Sequence, residues 1–205
     1  GVGGPYFVDS NNDGIINGDD ARNTNATGVV LDNAYVALAL LEGNADQGAL
    51  ARTSWLSLEA GSDTVGFQGT TGFEATLNNT QFVVNQVSGA PGLGQSNEYV
   101  IDAAAMKESG AAFTVLTGPT TSYDMTADGQ LGELLRVATE MELSVGDFLA
   151  ARGSVALEKS TQDLTLSNGA TLSHDVLTIG GANLSAFAGV NGGLADDGTP
   201  VAGAA

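Results

Sequence analysis

Between Leu135 and Val145 the chain alternates. Leu135, Val137, Met141, Leu143 and Val145 take odd positions, while Arg136, Glu140, Glu142 and Ser144 take even ones. A period of two puts one set on each face of an extended strand, whereas a helix would scatter both sets. Gly146-Asp147 reads as a turn. Leu149, Ala151, Val155 and Leu157 then resume the alternation against Arg152, Ser154 and Glu158. Two long strands joined by so short a link predict an antiparallel hairpin.

The same texture recurs. Residues 164–166 and 171–172 flank Ser167-Asn168-Gly169-Ala170, a second hairpin signal. Phe73, Ala75, Leu77, Val83 and Val87 mark a third long strand. Val29 to Leu41 is apolar on both faces, which predicts a central strand covered on two sides. Residues 101–108 are the best candidate for a short helix, and 43–50 and 89–97 read as surface loops. The expected fold is all-β: an antiparallel sandwich or flattened barrel of long strands, with a β-solenoid as the alternative. One domain over 1–205 is expected, with an extended segment at 1–22, a β body at 23–193 and a tail or the start of a next repeat at 194–205.

Two internal echoes bear on repetition. Asn33, Asn79 and Asn183 each stand ten residues before a glycine: Gly43, Gly89 and Gly193. Each interval is mostly apolar, as for a strand entered at an Asn turn and left at a Gly, although chance in an Asn- and Gly-rich chain gives the same pattern. Separately, Gly1-Val2, Gly4 and Asp9 match Gly189-Val190, Gly192 and Asp197 at one offset. With an opening of Gly1-Val2-Gly3-Gly4, this reads as one period of a longer array.

Charge narrows the partners. The 205 residues carry 24 acidic and 6 basic side chains, a net charge of −18. Such a surface repels phosphate backbones and anionic lipid, so neither nucleic acid nor membrane insertion is expected. No apolar run of about 18 residues suggests a helical span. Cysteine is absent, which excludes disulfides and thiolate chemistry. His174 is the one histidine, and no Gly-x-Ser-x-Gly elbow accompanies it. The composition therefore tilts away from an enzyme. Trp55 is a candidate for stacking on a glycan, with an ordinary core or interface role as the plainer reading.

One stretch carries defined chemistry. Residues 9–20 read Asp-Ser-Asn-Asn-Asp-Gly-Ile-Ile-Asn-Gly-Asp-Asp. Oxygen side chains fall at loop positions 1, 3 and 5 (Asp9, Asn11, Asp13), with Gly14 at the sharp turn. Ile15 would offer its carbonyl, Asn17 would act at position 9 through a water, and Asp20 closes the set at position 12. Ile16 is expected to anchor the loop in the core. Calcium takes about six to eight oxygens at ~2.3–2.6 Å, and alternate residues of a tight loop can supply them. Tyr6-Phe7-Val8 reads extended, so no helical hand is expected around the loop. A weaker candidate, Asp124, Thr126 and Asp128 with Glu133 nearby, has Leu135 where a ligand should stand, and a plain turn is the better reading.

The loop resembles those of dockerin modules and thrombospondin-type calcium repeats. Tyr6–Asp20 and Ser154–Gly193 together resemble repeat modules of giant secreted or surface proteins of Gram-negative, often aquatic, bacteria. That resemblance implies tandem repeats stiffened by Ca2+, and a role in adhesion or matrix assembly. The function expected is a structural, calcium-stabilised extracellular or cell-surface module whose partners are copies of itself or neighbouring repeats. A filament subunit acting by strand addition through Tyr6-Phe7-Val8, and a carbohydrate-binding module, are the alternatives.

Overall fold

A computed structural model describes residues 6–46, 48–89, 99–190, 193–194 and 200–201. The strands are β1 (Phe7–Val8), β2 (Ala21–Arg22), β3 (Gly28–Asp32), β4 (Tyr35–Glu42), β5 (Ser54–Gln68) and β6 (Phe73–Ser88). A short helix, α1 (Ala103–Glu108), follows. Then come β7 (Thr114–Leu116), β8 (Ser122–Asp124), β9 (Leu134–Val145), β10 (Leu149–Thr165), β11 (Thr171–Ala188), β12 (Gly193–Leu194) and β13 (Pro200–Val201). The fold is all-β. One seven-stranded sheet runs β11-β10-β9-β6-β5, with β3 and β4 sharing the next lane, each against one half of β5. Every pairing among the described residues is antiparallel, so the sheet is not the coil of a β-solenoid. It is open and does not close into a barrel.

The alternating segments fold as their period dictates. β9 and β10 form the expected hairpin, from Leu149 opposite Val145 to Lys159 opposite Leu135. The Asn168-Gly169 turn joins β10 to β11, with Gly169 at φ +84°. The helix expected over 101–108 is α1, and Asp102 caps it by accepting from Ala105 N–H at 2.9 Å. The turn and 3-10 segment Gly48–Arg52 occupy much of the first expected loop. Residues 90–97 of the second lie outside the described residues, as does most of the tail beyond 194.

Val29 to Leu41 is not central. It is the outermost lane, split into β3 and β4 at Asn33. It reads as doubly covered because both its faces belong to apolar surfaces. Ala37 is buried in a small core with Ala103 and Met125, while Val36, Leu38 and Leu40 on the other face are exposed. That core lies between the sheet and a second layer made by α1 and the β7–β8 hairpin; Ile101, Phe113, Val115 and Tyr123 complete it.

The Asn echo has a structural counterpart. Asn33, Asn79 and Asn183 all hold left-handed backbone, at φ +48°, +51° and +53°. Asn tolerates this region better than most residues with a Cβ. All three lie on one line across the sheet, where the β6–β9 register shifts at Asn78/Gln81 and the β10–β11 register shifts at Arg152/Ser154. The glycines that follow Asn33 and Asn79 have a shared reason too. A Cβ on Gly43 would lie 1.8 Å from the Leu50 carbonyl oxygen, and one on Gly89 would lie 2.4 Å from that of Arg52.

These shifts control which face each side chain takes. Directly paired residues share a face. One row runs Val36, Ala60, Phe82, Val137, Leu157, Ile179. Another runs Leu31, Val65, Leu77, Met141, Gly153. Val137 and Met141 are four apart on the unbroken strand β9, so both rows lie on the same face. Yet along the β3–β4 lane, β5 and β6 the two rows are separated by an odd number of residues. The irregularities at Asn33, Asp63 and Asn79 reset the alternation and keep both rows together. The result is one apolar face extending across every lane. The opposite face carries Glu59, Asn85 and Ser160 beneath the second layer and Glu74, Glu140 and Glu142 beyond it.

Candidate metal centre

β1 and β2 are brief because their task is to close a loop. Phe7 faces Arg22 and Val8 faces Ala21, which joins the two ends of residues 9–20 as a small ribbon. Asn23 N–H donates to the Tyr6 carbonyl at 2.6 Å and extends the closure. Among the described residues no helix flanks the loop, and Phe7–Val8 is extended, as the reading of Tyr6-Phe7-Val8 predicts. Three contacts tie the ribbon to the large sheet. Arg22 pairs with Asp32 at 3.0 Å, Gln68 Nε2 donates to the Asn23 carbonyl at 2.8 Å, and Thr27 Oγ1 donates to the Gly69 carbonyl at 3.3 Å. The Asp32 carboxylate raises the Arg22 value, and the guanidinium also lies 5.9 Å from the Tyr6 ring centre.

Inside the loop, acidic and amide side chains hold the backbone in its turn. Asp9 Oδ2 accepts from Gly14 N–H at 3.1 Å across the tight bend. Asn11 Oδ1 accepts from Asp13 N–H, Asp13 Oδ1 from Ile15 N–H, and Asn17 Oδ1 from Asp19 N–H. These short side-chain turns are what Asn and Asp do in tight loops. Asn12 and Gly14 hold left-handed backbone at φ +58° and +78°. Asp20 is 6% exposed and accepts from the N–H groups of Asn17 and Ser10, both at 3.0 Å. Those bonds, that of Asn17 first, hold its carboxyl below the ordinary carboxylate range.

One oxygen is left over. Asp9 Oδ1 is buried and has no hydrogen-bond partner. A buried carboxylate oxygen without a donor is costly, and a cation would satisfy it. Among the described residues no three His, Cys, Asp or Glu side chains converge as a metal cluster. Asp13 and Asp20 instead spend their oxygens on loop N–H groups and the Asn11 amide. The donor set Asp9, Asn11, Asp13, Ile15 carbonyl, Asn17 and Asp20 is hard oxygen throughout and suits calcium. Ile16 does not anchor the loop. It is 57% exposed, because a bare ribbon offers none of the apolar cleft that a helical hand would place against it.

The second acidic stretch is put to a different use. Asp124 accepts from Thr114 Oγ1 at 2.7 Å, and Asp128 caps the 3-10 turn Gly129–Leu131 through Gln130 N–H. Glu133 accepts from Val87 N–H at 3.3 Å. The segment between them wraps Glu59 instead. That carboxylate is 1% exposed and accepts from Tyr123 Oη, Thr126 N–H, Thr126 Oγ1 and Ala127 N–H, at 2.6–2.9 Å. Burial above all, then Tyr35 and Glu59, pushes the Tyr123 phenol well up. Nothing in the sequence marked Glu59, nor the role of Ser10, whose Oγ accepts from Ala21 N–H at 3.0 Å.

His174 is exposed on β11 opposite Gln162. Trp55 is half-buried on β5, and its indole N–H donates to the Tyr99 carbonyl. A scan against protein-family models, and searches of curated proteins and of solved structures, find no match to this chain.

Proposed function

We propose that this chain is a structural, calcium-stabilised β module of an extracellular fibre, adhesin or matrix. The observation that carries the reading is the closed loop at residues 9–20, with its complete oxygen ligand order and the unpartnered, buried Asp9 Oδ1. Asp9, Asn11, Asp13, the Ile15 carbonyl, Asn17 and Asp20 would hold the ion. Bound calcium supplies positive charge among carboxylates that otherwise repel one another. The chain does the rest. The β1–β2 ladder fixes both loop ends, and Arg22 and Gln68 transmit that order to β3 and β5. A segment fixed in this way is a stiff joint, and a single loop without a helical hand suits rigidity better than sensing.

Thermal melts in EDTA and in millimolar calcium test it. Calcium should raise the melting temperature, and Asp13→Ala should remove that rise while leaving the EDTA melt nearly unchanged. A wild-type melt indifferent to calcium would end the proposal.

Strand addition between copies is a second reading. One observation favours it: β11 and the β3–β4 lane each have a long outer edge with no paired strand among the described residues. Phe7–Val8 is already paired with Ala21–Arg22, so the open edges support this reading better than the N-terminal segment does. Fibres seen by electron microscopy in wild-type samples would support it, and unbranched monodisperse particles would count against it.

A further inference from the structure

The apolar face of the large sheet is the largest feature that the loop reading leaves unused. The contacts that layer α1 and β7–β8 on the sheet go to the other face. On the apolar face Ile179 is 76% exposed and Leu40 69% exposed, with Val36, Leu31 and Leu177 also well exposed. Soluble chains rarely show contiguous apolar patches beyond a few hundred Å² unless something docks there.

We infer that this face binds the same face of a second copy, so that two sheets pack as a sandwich. Area is the first argument. The rows span six lanes at ~4.8 Å and about ten residues at ~3.4 Å, so about 1,000 Å² per copy is on offer, against about 800 Å² per partner in a standard stable interface. Charge is the second. The chain carries −18, yet within the rows from Phe73–Val145 to Leu38–Leu177 the single charged residue is Lys159. Two copies can therefore meet on this face without bringing carboxylates together. Their acidic faces point apart, separated by more than the ~8 Å over which charges act at physiological salt. Sheets in such a pair would stack ~10 Å apart with side chains interleaved. The relation is two-fold and self-complementary, and so closes at a dimer.

Sedimentation equilibrium of the full chain at high micromolar concentration, in calcium and in EDTA, reads the outcome. The expected mass is twice 20.6 kDa in both buffers. The variant Val36→Glu/Leu40→Glu/Ile179→Glu changes side chains that are exposed in the single chain, and should sediment at the single-chain mass with an unchanged far-ultraviolet spectrum. If that variant loses its fold, Ile179→Glu alone decides, with dimer affinity expected to fall at least tenfold. A wild-type chain that stays at single mass overturns the inference. So does a dimer unaffected by the face variants, or growth into open-ended species. Because EDTA is one arm, failure here is distinguishable from failure of the calcium reading.

Discussion

The hydroxyl of Tyr123 donates to the Glu59 carboxylate at 2.9 Å, across the seam between the small second layer and the sheet. Glu59 thereby ends up with four donors from one short segment, the others coming from Thr126 and Ala127. The second layer is held to the sheet by a buried acid as well as by its small apolar core.

Removing that acid should be expensive. Glu59→Ala leaves two backbone N–H groups and two hydroxyls without their acceptor in a buried place, and should cost about 3 kcal/mol. Tyr123→Phe removes one bond and should cost about 1 kcal/mol. Urea unfolding at constant slope measures both, and a Glu59→Ala loss below about 0.5 kcal/mol would be incompatible with this network.

The Tyr123 phenol titrates higher in the folded chain than in the unfolded one. The folded state therefore holds its proton where the unfolded state gives it up. That contribution is whole below the unfolded value of ~10 and is lost as pH rises from there toward the folded value. Tyr123→Phe should lose less stability than wild type between about pH 10 and 11.5, when each is compared with its own value at pH 8. Parallel alkaline limbs would contradict the shift.

Asp20 has the opposite sign. Its folded value is lowered by the Asn17 and Ser10 N–H groups, so its contribution is present above the unfolded value of ~3.9 and fades as pH falls through the folded one. In EDTA, Asp20→Asn should melt with a flatter dependence on pH below about 4 than wild type does. Identical acid limbs would mean that those bonds do not form.

Asn79 combines a left-handed backbone with a side-chain bond to Glu140 at 3.1 Å. Asn79→Ala loses both advantages and should cost about 1–2 kcal/mol, while Asn79→Gly keeps the backbone freedom and should cost less. The reverse order in denaturant unfolding would assign the position to its amide rather than to its conformation.

The sequence carried some of this better than the rest. β9 and β10 were legible because their alternation is unbroken, and α1 because Ala103–Glu108 are all good helix formers, with Asp102 at their head. The position of the β3–β4 lane was not legible, since a strand between two apolar surfaces looks the same at an edge as in the middle. Ligand order in residues 9–20 was plain, but the fate of Ile16 depends on a missing neighbour, which no local pattern records. Glu59 was hidden for a related reason. A lone Glu on a strand reads as solvent-facing, and its donors arrive more than sixty residues later.

The left-handed asparagines behave toward the strands as an inserted letter behaves toward a reading frame. Downstream of each, every side chain is read on the opposite side from the one its count would assign. Deleting Asn79 would set Leu77 four residues from Phe82, the spacing that separates Met141 from Val137 on β9, so Phe73, Ala75 and Leu77 would stay in phase with Phe82 and Val84 without the bulge. A deletion at Thr139 on β9, a strand with no inserted residue to lose, would instead deliver half a strand of message to the wrong side. Deletion of Asn79 should therefore be better tolerated in denaturant unfolding than deletion of Thr139, its neighbour across the sheet.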